Sequence, residues 1–146
     1  MQPTIIQSSF HKQAQRFLPE RTFWEKATIL HHEANRPEHL SMPPRYSRHY
    51  YDIYRMSQSP IKDYSLLSLN LLSKVVAFKM KFYPRAWAKY SEAKPGSLKL
   101  LPPSYRFSSL EKDYSAMKDM LFGNIPSFND IIDTLTQLEI EINSLS

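Results

Sequence analysis

Residues 22 to 34 read Thr22-Phe23-Trp24-Glu25-Lys26-Ala27-Thr28-Ile29-Leu30-His31-His32-Glu33-Ala34, and their spacing decides the fold class. Phe23, Ala27, Leu30 and Ala34 fall at i, i+4, i+7 and i+11, one apolar stripe on an α-helix. Thr22 and Glu25 have the Thr-x-x-Glu spacing of a capping box, which predicts that the helix opens there. Pro37 disfavours helical geometry at Arg36, so the helix is expected to stop near Asn35.

The same logic extends along the chain. A second helix is predicted from Arg45 or Ser47 to Met56, with Tyr46, Tyr50, Ile53 and Tyr54 on one side. Ser59-Pro60 reads as the opening of a long helical region, with serine as cap and proline at the first helical position, reaching about Tyr83. Pro84 then breaks it, and Arg85 to Ala93 is expected to form another short helix. Lys94-Pro95-Gly96 is a turn signal, and residues 97 to 106 read as extended or irregular. Ser108 and Glu111 form a second capping box ahead of the stripe Leu110, Tyr114, Met117 and Leu121, with Gly123 placed to end that helix in a left-handed conformation. Ser127 is expected to cap a last helix whose apolar face is Phe128, Ile131, Ile132, Leu135, Leu138 and Ile142. Residues 1 to 19 show no clear period. Pro3 to Ile6 could form a short strand and His11 to Leu18 a frayed turn. The expectation is a poorly ordered N-terminal arm, 1–19, ahead of a mainly α domain, 20–146, built as a helical bundle.

Composition narrows the function. Only two of 146 residues are glycine, Gly96 and Gly123. Glycine-rich phosphate loops need several glycines together, because backbone amides close on a phosphate only where no Cβ intervenes. Hairpins built on Asn-Gly or Asp-Gly turns are excluded too, since neither pair occurs. Hydrophobic residues at 42% supply one core. Nineteen Lys and Arg against fourteen Asp and Glu leave a net charge of +5, which permits a polyanionic partner such as nucleotide, RNA or an acidic protein. The chain has no cysteine, so disulfides and thiolate metal sites are out, which agrees with a cytoplasmic protein. Its apolar runs fall far short of the roughly 20 residues that span a bilayer.

Three constellations invite chemistry. His31-His32-Glu33 with His39 has the wrong spacing for a zinc pair, since adjacent histidines on a helix point to different faces; a solvated helix end is expected and no metal site. Glu111-Lys112-Asp113 and Glu139-Ile140-Glu141 imitate alternating metal-binding carboxylates, but a helix splays them, and they are expected to be surface charge. The third is different. Arg45, Arg48, His49 and Asp52 follow i, i+3, i+4 and i+7, so two guanidinium groups, an imidazole and a carboxylate share one face beside a wall of tyrosines. A local Arg48–Asp52 ion pair is one reading of that face; a phosphate-binding site is the other. Lys26, in the first turn of the preceding helix, is placed to join it in the inter-helix groove.

At these residues the sequence resembles a known family. Pro19 to His31, Arg36-Pro37, Arg45 to Tyr54, Val75 to Lys79, Trp87 to Tyr90, Pro95 to Leu100, Asp113-Tyr114 and Met120 to Gly123 look like the AbiEii/AbiGii nucleotidyltransferase toxins, and the likeness covers roughly residues 17 to 143. The resemblance implies a two-lobed enzyme that uses NTP and magnesium, acts beside a winged-helix antitoxin in a type IV toxin–antitoxin system and, in some relatives, adds nucleotides to tRNA. It makes Lys26 the nucleotide-binding lysine and Asp52 a late acidic residue acting as general base, with Arg48 in the same motif. The family's Gly-Ser turn and Asp-x-Asp pair, which belong before Lys26, are absent. The chain therefore looks like the C-terminal lobe of such an enzyme, shortened by gene decay or a split reading frame, and inactive alone because the carboxylates that fix magnesium are lost. No cofactor is expected to bind it tightly alone. The alternative is a non-catalytic helical module that engages an antitoxin, a companion lobe or RNA. An uncovered apolar patch around Trp24 and the tyrosines is expected to favour self-association.

Overall fold

The structure, a computed structural model, describes residues 18–145; the expected strand at 3–6 and most of the turn at 11–18 lie outside the described residues. Among the described residues the protein is mainly α, with six α-helices and no strand: α1 (Pro19–Asn35), α2 (Ser47–Ser57), α3 (Ile61–Leu66), α4 (Leu69–Phe82), α5 (Ser104–Met117) and α6 (Phe128–Asn143). α1 runs through the middle, packed on α2, α3 and α4, while α2 carries α5 and α6 on its other side.

The predicted stripe of α1 is the centre of the core: Phe23, Ala27 and Leu30 are fully buried, and so is Trp24. The patch expected around Trp24 is therefore not exposed. Its indole packs edge to face on Phe23 at 4.9 Å and Nε1 donates to the Ser65 carbonyl at 3.0 Å. Burial of side chains of this size contributes about 1.5–3 kcal/mol each, which is why this helix organises the others.

Several boundaries differ from those expected, each for a physical reason. α1 begins at Pro19, one turn before Thr22: proline suits the first helical positions, the Thr22 hydroxyl donates to the Leu18 carbonyl, and Glu25 pairs with Arg21 at 3.0 Å instead of completing a capping box. The long helical region expected from Pro60 to about Tyr83 is two helices. Trp24 Nε1 and the Ser68 amide both donate to the Ser65 carbonyl, which Leu69 would otherwise use to continue the helix, and Ser68 leaves helical geometry at ψ 52°. Arg85 to Ala93 is two single 3₁₀ turns, Ala86–Ala88 and Tyr90–Glu92, joined by Lys89 at φ 51°. α5 starts at Ser104, directly after Pro102-Pro103, so Ser108 lies inside it and is not its cap. It ends at Met117 in a 3₁₀ turn, and Gly123 adopts its positive φ of 82° in the loop beyond. α6 opens as expected, with the Ser127 hydroxyl accepting from the Asp130 amide at 3.0 Å.

Of the carboxylates expected on the surface, Glu111 is exposed, whereas Glu139 and Asp113 tie the fold together. Glu139 accepts from the amides of Leu100 and Leu101, and Asn143, one turn on, holds both sides of the 96–98 turn. α6 thereby fixes an irregular segment that has no ladder of its own. Asp113 on α5 accepts from the amides of Arg45 and Ser47 at 2.8 and 3.0 Å and from the Ser47 hydroxyl, satisfying the start of α2 from another helix.

Candidate phosphate-type site between α1 and α2

Lys26 and Asp52 lie 26 positions apart and meet because α1 and α2 pack together: Lys26 Nζ donates to Asp52 Oδ2 at 3.0 Å. Arg48 Nε donates to the other oxygen, Oδ1, at 3.1 Å. One carboxylate therefore holds two cations side by side. Lys26 also lies 3.3 Å from His49 Nδ1. An ammonium can only donate, so Nδ1 accepts and the ring proton sits on Nε2. Burial, then the Lys26 charge, push the imidazole down to about 4, and the ring is neutral at physiological pH. Its face is fixed by Tyr46, edge to face at 4.7 Å.

Four of the five residues expected at this site, Lys26, Arg48, His49 and Asp52, thus share one cluster. Arg45 arrives differently. It is not on the helix face that its spacing implied but precedes α2 at φ 66°, held there by the Asp113 carboxylate on its amide. Arg45 still lines a groove of about 500 Å³ with Arg48 and His49 of the cluster and with Tyr46, Asp113 and Met120; Lys26 and Asp52 are not among its walls. Asp113 is the residue that sequence reasoning missed. Its partner lies 66 positions away, and an acid–any–acid pattern inside a helix carries no local sign of that role.

The neighbouring cluster, expected as a solvated helix end, is buried. His31 is fully buried, and its ring bridges two segments: Nε2 donates to the Lys89 carbonyl at 2.8 Å while Nδ1 accepts from the Lys99 amide at 3.1 Å. Glu33 is 2% exposed and accepts from His32 Nε2 and, through both oxygens, from Arg36, whose guanidinium lies 4.8 Å over the Trp87 ring. Burial pushes the Glu33 carboxyl up, but the hydrogen bonds from His32 and Arg36 outweigh it and hold the group below its ordinary value. Burial lowers both histidines. His39 is exposed and stands apart.

Magnesium does not fit the donors present. Asp52 is the carboxylate of the Lys26 cluster and already accepts from two cations, and no group of three His, Asp or Glu among the described residues is arranged to hold a metal ion. The arrangement is a cluster of cationic donors, two members of which, Arg48 and His49, line a groove.

The comparisons assign the family. The sequence model described as "Nucleotidyl transferase AbiEii toxin, Type IV TA system" matches residues 17–134, and the chain belongs to that family. Membership implies an antitoxin partner. No curated protein and no solved structure matches the chain. No helix among the described residues is long and apolar enough to cross a membrane.

Proposed function

We propose that this domain is the helical part of a nucleotidyl transfer toxin and that the Lys26 cluster grips the phosphates of an NTP. The observation that carries the reading is the surplus of donors. Lys26 and Arg48 share a single carboxylate, the Arg48 guanidinium uses only Nε on it, the Arg48 side chain is 54% exposed, and neutral His49 offers an Nε2 proton. The rest of the guanidinium fork has no protein partner among the described residues and matches the bidentate geometry that phosphate prefers. Arg45 lines a groove together with Arg48 and His49.

In this reading Asp52 keeps Lys26 and Arg48 pointed together until a phosphate draws them to itself. Its carboxylate is then left to accept a proton from the attacking group, here an RNA hydroxyl. The metal-binding carboxylate pair of the transfer reaction comes from outside these 146 residues, because the donors present do not fit magnesium. Alone, the chain binds nucleotide weakly and does not transfer it.

The test is thermal unfolding with and without GTP. GTP is expected to raise the midpoint of the natural sequence and to leave Lys26→Ala and Arg48→Ala where they were. An equal rise in the Lys26→Ala variant would remove the site from the proposal. Incorporation of labelled nucleotide into tRNA by the pure, magnesium-supplemented chain would overturn the claim that it is inactive alone.

A further inference from the structure

The excess positive charge of the chain lies in one segment. Five of the nineteen Lys and Arg, and none of the fourteen Asp and Glu, fall between Tyr64 and Ser91, so the remaining residues balance at fourteen of each. Half of this segment is α4, which buries Leu72 and Val75 against the core. Lys74, Phe78, Lys81 and Phe82 follow i, i+4, i+7 and i+8 and form one outward stripe. All four are exposed, as are Tyr83 and Arg85 just past the helix end.

The rings are unusually bare for their size: Phe78 is 44%, Phe82 57% and Tyr83 60% exposed. They form a platform, with Phe78 and Phe82 centroids 4.8 Å apart and Phe78 and Tyr83 6.1 Å apart. Lys81 Nζ lies 5.3 Å from the Phe82 ring, and Arg85 and Lys89 border a groove of about 250 Å³ past the end of α4. Protein interfaces enrich aromatics but deplete lysine. Here lysines alternate with rings along the stripe, and Glu25, the carboxylate lining the groove beside Phe78 and Tyr83, is paired with Arg21 at 3.0 Å. That combination is what single-stranded nucleic acid uses, with cations following phosphates and bases stacking on π-faces.

We propose that the outer face of α4, with Tyr83 and Arg85, is a docking surface for single-stranded RNA, bound without strong sequence preference. It is distinct from the Lys26 cluster: Arg21, Glu25 and Ile29 of α1 line the groove beside Phe78 and Tyr83, whereas Lys26 faces α2. Only the choice of RNA over DNA rests on the proposed transfer reaction; the surface itself does not.

Fluorescence anisotropy of the full chain with a labelled oligouridylate of about twelve nucleotides tests this. At about 50 mM salt the strand is expected to bind, and affinity should fall steeply as salt rises. The double variant Phe78→Ala, Phe82→Ala should bind at least tenfold more weakly at an unchanged thermal midpoint, since both rings are exposed. Should that variant fail to fold, Lys74→Glu with Lys81→Glu is expected to weaken binding and flatten the salt dependence. No binding by the natural sequence overturns the proposal, as does undiminished binding by the ring variant. Polyglutamate displacing the strand as well as an equal charge of oligouridylate would point to an acidic protein and overturn it too. Tighter binding of oligothymidylate would overturn the assignment to RNA. Loss of RNA binding with an intact GTP response separates this surface from the Lys26 site.

Discussion

Two polar clusters hang from the same helix, and they differ in closure. At the end of α1, His31, His32, Glu33 and Arg36 are buried and saturated with partners from Lys89, Tyr90 and Lys99. A turn and a half earlier, Lys26 with Arg48, His49 and Asp52 uses nearly the same side-chain types but stays half open, with donors to spare. The chemistry of the residues is alike. What separates a structural cluster from a candidate binding site is whether the fold supplies an acceptor for every donor.

The sharpest way to break that contrast is at Glu33. Glu33→Gln keeps the shape and strands the buried Arg36 charge; unfolding in urea should show a loss of about 3–5 kcal/mol. A loss no larger than that of an exposed ion pair would mean the closed cluster is not closed.

Acid comes next. His31, His32 and His49 are all held below their ordinary value of 6.5, so between that value and the lowered one the unfolded chain binds more protons than the folded chain. Stability should be full above pH 6.5 and fall as pH drops toward 4. His49, discounted for its partial exposure, accounts for about 1–2 kcal/mol. His49→Gln should remove that share and leave the closed cluster's share, which a pair of denaturation series against pH would resolve.

Asp113→Ala removes the acceptor that starts α2 and holds Arg45. A loss of about 1–2 kcal/mol is expected. Because Arg45 and the groove wall move with it, the GTP response should weaken in the same variant.

The smallest effect on stability belongs to the Lys26–Asp52 pair of the open cluster. Lys26→Ala should cost about 1 kcal/mol or less, since the pair it breaks is partly solvated, yet abolish stabilisation by GTP. If Lys26→Ala and Glu33→Gln unfold equally easily, the two clusters do the same job.

Much of the fold was legible because it rests on local rules. The stripe Phe23, Ala27, Leu30 is the core, and the Ser127 capping box opens α6 at the expected residue. What was not legible came from partners distant in sequence. The break at Ser68 depends on Trp24, the 3₁₀ turns around Lys89 on His31, and the buried state of Glu33 on Arg36 and Trp87. The site shows the same division. The i, i+4 spacing of Arg48 and Asp52 predicts their ion pair, but nothing near Asp113 signals that it positions Arg45.

The sequence by itself determined a helical chain, its apolar stripes, its balance of charge and its family, because these depend on period, composition and motif. The tertiary structure decided which polar residues are spent inside and which remain available. Burial and partner geometry are properties of helices packed against one another, and a carboxylate such as Glu33 or Asp52 looks the same along the chain until that packing places cations around it.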